Sequence, residues 1–115
     1  MTVTLYHNPR CSKSRETLKL LQERGITPTI VEYLKTPPNA AELDDILHKL
    51  GMEPRQLIRK NEAPYAELNL ADAGLSRAAL IDAMAAHPVL IERPIVLSNG
   101  KAAIGRPPDS VLAII

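Results

Sequence analysis

The 115-residue chain has no tryptophan and no phenylalanine, and it carries a single cysteine. Without those aromatics, Leu, Ile, Val and Ala must build the core. One cysteine permits no internal disulfide, which suits a reducing cytoplasm. It also excludes any reaction that relays electrons through the chain's own thiols. Fourteen basic residues against 13 acidic ones leave a formal net charge of +1. Neither a nucleic-acid surface nor a polybasic membrane anchor is expected from that balance. No apolar run reaches the length of about 18 residues that a membrane span needs. The opening residues read as a strand rather than a signal peptide. Repeats and low-complexity tracts are also lacking. At this length the chain is expected to form one domain, residues 1–115, able to bury a core unaided.

Ten prolines punctuate the sequence and set element boundaries. Val3-Thr4-Leu5-Tyr6 reads as a strand, and a helical pattern starts at about Cys11 or Ser12, with Leu18 and Leu21 on one face. Gly25 supplies a left-handed stop. A second strand is predicted from about Thr29 to Leu34, parallel to the first because a helix connects them. Asn39 with Glu42 forms a capping pair, and Leu43, Ile46, Leu47 and Leu50 recur at helical spacing. Gly51 closes that helix. Pro54 opens a short helix to about Arg59, and Pro64 falls near the start of another. Ser76 caps a helix to about Ala86 with Leu80, Ala83 and Met84 inward. Ile95–Leu97, Asn99-Gly100 and Lys101–Ile104 make a hairpin. A last helix is predicted over Asp109–Ile115. The order is β-α-β, a helical insertion at about residues 39–87, then β-β-α. This is an α/β, thioredoxin-like plan with a mixed four-stranded sheet.

The chemistry concentrates in His7-Asn8-Pro9-Arg10-Cys11-Ser12-Lys13-Ser14-Arg15. A lone cysteine is most often a small buried hydrophobe, but this one has basic and polar neighbours on both sides. It also sits at a strand-to-helix junction, where free N–H groups and the helix dipole stabilise a thiolate and attract oxyanions. His7, four residues before it, and Arg15, four after, are potential cations. Arg10 and Lys13 add to the local charge or are simply solvated. In the predicted fold Cys11 faces Pro94, which opens the third strand, and the Arg93-Pro94 bond is a candidate for the cis isomer.

Arg59, Arg93 and Arg106 stand out beyond that loop. Isolated arginines are usually solvated surface charge, yet guanidinium forks bind tetrahedral oxyanions through paired hydrogen bonds. Arg93, beside Pro94, is the strongest candidate on geometry. His48 and His87 lie on separate elements without ligand-like spacing and read as surface residues. His7 and Cys11 alone make too few ligands for zinc. No metal is expected.

Tyr6-His7-Asn8-Pro9, Cys11, Ser14-Arg15, Leu57-Ile58-Arg59-Lys60-Asn61, Pro64-Tyr65, His87-Pro88, Arg93-Pro94-Ile95-Val96 and Arg106-Pro107 together resemble the glutaredoxin-linked arsenate reductase family, collinearly over essentially the whole chain. With Ser12 where the plasmid-borne enzymes carry glycine, and an end at Ile115, it most resembles a short chromosomal branch. The resemblance implies that Cys11 attacks arsenate and that Arg59, Arg93 and Arg106 bind the oxyanion. It also implies that His7 helps keep the thiol ionised, with Asn8, Ser14, Arg15 and Pro94 in support.

A thiolate attacking As(V) gives a covalent adduct, and this chain has no second cysteine to complete the reduction. The resemblance nominates glutathione as co-substrate and glutaredoxin as the partner that removes it, with no bound cofactor. Such a route needs Cys11 to be at least partly exposed. The protein is expected to be a cytoplasmic monomer without nucleic-acid or membrane partners. A low-molecular-weight phosphatase loop is excluded, since Thr17 stands where that loop needs arginine. Two other readings remain at this stage. One is a monothiol glutaredoxin-like thiol-transfer protein; the other is a non-catalytic redox regulator of the same fold. Neither has a Cys-x-x-Cys pair here, because position 14 is Ser14.

Overall fold

A four-residue strand, β1 (Val3–Tyr6), is the centre of a four-stranded sheet. The computed structural model describes residues 2–115. β1 runs parallel to β2 (Thr29–Val31) and antiparallel to β3 (Ile95–Ser98), and β3 pairs with β4 (Lys101–Ile104) to give the order β2-β1-β3-β4. The mixed four-stranded sheet is as expected.

The described residues fall into two compact units. The first runs to Thr36 and resumes with Arg93–Ile115; the second is Pro37–Glu92. In the first, Val3, Leu5, Leu21, Val96 and Val111 form the core, with Leu18, Ile26 and Ala103 packed against it. Aliphatic side chains alone fill it. Helix α1 (Ser12–Glu23) follows β1, and Gly25, with φ +74°, sits just beyond its end. The hairpin turn is Asn99-Gly100, both at positive φ (54° and 73°), which is why that dipeptide is favoured between two such short strands.

Two predictions for this unit need correction. β2 ends at Val31 rather than Leu34, because its only partner, β1, ends at the row Tyr6↔Val31. The chain turns at once, with the Lys35 and Thr36 N–H groups donating to the Glu32 carbonyl (2.9 and 3.0 Å). The last helix is 3₁₀, Pro108–Ile114, not α. Pro107 and Pro108 bring no N–H to its start, and the Ser110 N–H closes a tight turn onto the Pro107 carbonyl (3.0 Å).

The second unit is helical. α2 (Ala40–Leu50) opens with the expected capping box: Asn39 Oδ1 accepts from the Glu42 N–H (2.8 Å) and Glu42 Oε1 from the Asn39 N–H (3.1 Å). Such a cap contributes about 0.5–2 kcal/mol. α3 (Pro54–Leu57), α4 (Ala63–Glu67) and α5 (Arg77–Ala86) follow. α5 buries Leu80, Ile81 and Met84, with Ile81 taking the place predicted for Ala83. A 3₁₀ turn, Pro88–Leu90, leads to an antiparallel bridge between Ile58 and Ile91.

Candidate active site

Sheet register builds the site. Tyr6 pairs with Ile95, and Ile95 with Ile104, so all three lie in one row at one edge of the sheet. The residues just past that row therefore converge: His7 and the Cys11 loop after β1, Arg93 and Pro94 before β3, Gly105 and Arg106 after β4. The Gly105 N–H donates to the Pro94 carbonyl (2.9 Å), extending the hairpin pairing by one step. Two arginines 13 residues apart thereby become neighbours, and Arg106 Nε donates to the Arg93 carbonyl at 2.7 Å. The other end of the same guanidinium, Nη2, donates to Cys11 Sγ at 3.7 Å. Both the Arg93-Pro94 and Arg106-Pro107 bonds are cis.

Cys11 is the residue that caps α1, with φ −91° and ψ 124°. The loop before it is closed by its own polar groups. The Cys11 N–H donates to the Asn8 carbonyl (3.0 Å) and the Arg10 N–H to Asn8 Oδ1 (3.0 Å). Arg15 Nη1 reaches back to the Pro9 carbonyl (3.0 Å). Burial by itself pushes the Cys11 thiol up. Against it act the Ser14 backbone N–H, the Arg93 guanidinium, the Lys13 backbone N–H and the Arg106 guanidinium, and the thiol ends below its ordinary range. The ionised form of the thiol is thereby favoured at a helix N-terminus, with the Arg106 guanidinium in contact with it and that of Arg93 acting through its charge.

Cys11 is only 8 % exposed, so the expectation of a partly open sulfur does not hold. His7 also differs from its expected state. It is 7 % exposed. Burial lowers its pKa; Glu32 nearby opposes that and Arg15 adds to it, and the net shift is downward. Burial thus favours the neutral ring over an imidazolium beside the sulfur. Its Nδ1 lies 2.6 Å from Ser14 Oγ, a fully buried hydroxyl that also accepts from the Asn8 N–H (3.0 Å). Which of the pair donates follows from the ring tautomer. His7 thus orients Ser14, whose backbone N–H is the foremost of the groups that hold the sulfur's charge.

Linkage fixes the sign of the pH effects. His7 has its pKa lowered by folding, so the unfolded chain binds more protons below about 6.5, and stability falls as pH drops through that window. Cys11 also has its pKa lowered, so its contribution is complete above about 8.5 and fades as pH falls through the folded-state value. Both terms act in the same direction. Urea midpoints should fall between about pH 7.5 and pH 5.5, and His7→Asn, which has no titrating ring, should flatten the fall. An identical slope in the variant would assign the acid sensitivity elsewhere.

Sequence reasoning missed two residues here. Gly105 lies so close to α1 that an added Cβ would collide with Thr17 Oγ1 and come within 2.8 Å of Pro94 Cγ. Glycine is flanked in this chain by Ile104 and Arg106, so Gly105→Ala would displace the elements that place both arginines. We expect a loss of about 1–3 kcal/mol, typical of overpacking, read as a lower urea midpoint, together with slower alkylation of Cys11. Glu32, directly after the Tyr6↔Val31 row, faces His7 for the same register reason.

Arg59 lies in the second unit. Its N–H donates to the Leu90 carbonyl (2.7 Å), and its guanidinium pairs with Glu62 (2.7 Å) and, more loosely, Glu92 (4.0 Å). His48 is exposed and pairs with Asp44 on its own helix; His87, at the end of α5, is half-buried. The Lys13 ammonium lies 3.7 Å from Glu16 on the surface. Among the described residues no three His, Cys, Asp or Glu side chains are grouped to hold a metal, and no helix is long and apolar enough to cross a membrane.

Comparison with known proteins gives the family. The model of the ArsC family matches residues 6–114. The chain is 60% identical over 114 residues to the uncharacterized protein YfgD of Escherichia coli strain K12, covering 98% of this chain and 96% of that one. It is 51% identical over 114 residues to a protein of Neisseria meningitidis named arsenate reductase, covering 98% and 97%. Among solved structures, an arsenate reductase from Vibrio cholerae superposes with a TM-score of 0.97 at 54% identity, covering 100% of this chain and 98% of that one.

Proposed function

The chain belongs to the ArsC family and has the thioredoxin-like fold of its structural relatives, and from that premise we propose that it reduces arsenate to arsenite, with glutathione and glutaredoxin as electron donors. The observation that carries the reading is the contact between Arg106 Nη2 and Cys11 Sγ at 3.7 Å, made while Arg106 Nε is fixed on the Arg93 carbonyl. A nucleophile and a cationic fork held that way suit attack on a tetrahedral oxyanion.

The steps balance as follows. The Cys11 thiolate attacks As(V) and a hydroxyl group leaves as water after taking a proton. The thiol of glutathione then attacks the Cys11 sulfur, an S–S bond forms, and the As–S electron pair passes to arsenic. As(V) becomes As(III), the proton of the thiol goes to the departing oxyanion, and Cys11 remains as a mixed disulfide. A glutaredoxin thiolate attacks the glutathione sulfur and frees the Cys11 thiolate. Arg93 and Arg106 are the residues we assign to the oxyanion. Arg15 and Asn8 shape the loop, and His7 positions Ser14. By resemblance Arg59 is the third arginine of this reaction.

The test is arsenate-dependent oxidation of NADPH in the presence of glutathione, glutaredoxin and glutathione reductase. Turnover that needs arsenate, glutathione and glutaredoxin together is the expected result. If glutathione disulfide labels Cys11 as fast as arsenate with glutathione does, and NADPH oxidation shows no arsenate dependence, the protein is a thiol-transfer protein instead.

A further inference from the structure

Beside the Cys11 loop lies a second feature. β1 and β2 are parallel and end in the same row, Tyr6↔Val31, with the His7 N–H donating to the Val31 carbonyl (2.8 Å). Beyond that row the two segments diverge, one towards Arg10 and Cys11, the other into the turn Glu32–Lys35. The gap between them is a cavity of about 270 Å³, lined by His7, Asn8, Arg10, Glu32, Leu34 and Lys35 among others. Its size approaches the lower end for small-molecule sites. Leu34, an apolar side chain of the lining, is 43% exposed. Two cations and one anion are supplied by Arg10, Lys35 and Glu32, and the Lys35 ammonium lies 3.5 Å from the Glu32 carboxylate.

We infer that this cavity, between the Cys11 loop and the turn after β2, binds the peptide part of the resolving thiol. The occupant is a small anionic thiol peptide with two carboxylates and one ammonium, the chemistry of glutathione. The inference rests on the reading that an external thiol resolves Cys11. Charge is complementary: the walls carry two positive groups and one negative, the tripeptide two negative and one positive. Arg10 and Lys35 take the carboxylates, and Glu32, released from Lys35, takes the ammonium. The lining reaches the residue next to the nucleophile, since Arg10 precedes Cys11 in the chain, and the thiol lies in the middle of the tripeptide. The site also resolves the conflict between a buried Cys11 and an external reductant. A tripeptide seated in the cavity carries one sulfur of the mixed disulfide outward, where a second thiolate can reach it.

The test separates this inference from the reductase reading by using disulfides instead of arsenate. Wild type, Lys35→Glu, and Lys35→Glu with Arg10→Gln are labelled at Cys11 with glutathione disulfide and, separately, with uncharged hydroxyethyl disulfide, followed by intact mass. Each lost carboxylate contact should slow labelling by glutathione disulfide about tenfold relative to the uncharged reagent. Changes in thiol reactivity or folding alter both reagents and cancel in the ratio. In the arsenate assay the same variants should raise KM for glutathione and leave KM for arsenate alone. A labelling ratio unchanged from wild type overturns the cavity assignment even if arsenate turnover is present. A changed ratio without arsenate turnover keeps the cavity and removes the reductase reading.

Discussion

Serine in place of Cys11 should leave a folded protein with no arsenate turnover, a loss of at least about 10⁴-fold. The oxygen of serine is far less ionised than a thiol at neutral pH, and it cannot form the S–S bond on which the second step depends. Two separate requirements fail together. The substitution is informative because it favours the fold. Cys11 is the N-cap of α1, its sulfur held by the Ser14 and Lys13 backbone N–H groups of the first turn, and serine is among the best residues for that position. The urea midpoint near neutral pH should be little changed, so lost activity would not reflect unfolding. Arsenate turnover above about 1% of wild type in Cys11→Ser would mean that the sulfur is not the nucleophile.

Local rules recovered the elements whose determinants are local. The Asn39–Glu42 box, the Ser76 cap donated to by the Ala79 N–H (3.1 Å), and the Asn99-Gly100 turn all appear as their sequences dictate. β2 came out shorter because its length is set by β1, not by the apolar run from Ile30 to Leu34. Leu34 in fact stands exposed in the following turn. The C-terminal segment became 3₁₀ because two adjacent prolines govern its first turn, a constraint that apolar spacing does not reveal.

The site was legible as residue types and only partly as states. Cys11, Arg93 and Arg106 meet because three strand ends share one row, and that row follows from the hairpin and from β1 pairing with β3. The charge of His7 was not legible. Spacing from Cys11 suggested a cation, but the ring is buried beside Ser14, and burial favours the neutral form. Ser14 contributes through its backbone N–H to the sulfur and through its hydroxyl to His7, two contacts that no motif separates. Arg59 carries the same family signal as the other arginines, and within its own unit it is paired with Glu62.

Arg106→Lys should be the most damaging of the charge-conserving changes, costing about 10²–10³-fold in kcat/KM. One planar guanidinium spans from the Arg93 carbonyl at 2.7 Å to Cys11 Sγ at 3.7 Å. An ammonium on a flexible stem is a point charge and cannot hold both contacts with one rigid group. The rate of alkylation by iodoacetamide against pH reads the thiol directly. Its midpoint should move upward in Arg106→Lys, and further in Arg106→Ala and Arg93→Ala, because both guanidinium groups favour the thiolate. Arsenate or sulfate should shield Cys11 from alkylation in wild type, and Arg93→Lys should weaken that shielding with the net charge unchanged. Arg59→Lys is the comparison for the third arginine, which lies in the second unit and pairs there with Glu62. If shielding and the thiol midpoint both survive Arg93→Lys and Arg106→Lys, the arginines serve the fold, and oxyanion capture must be assigned to the N–H groups at the start of α1.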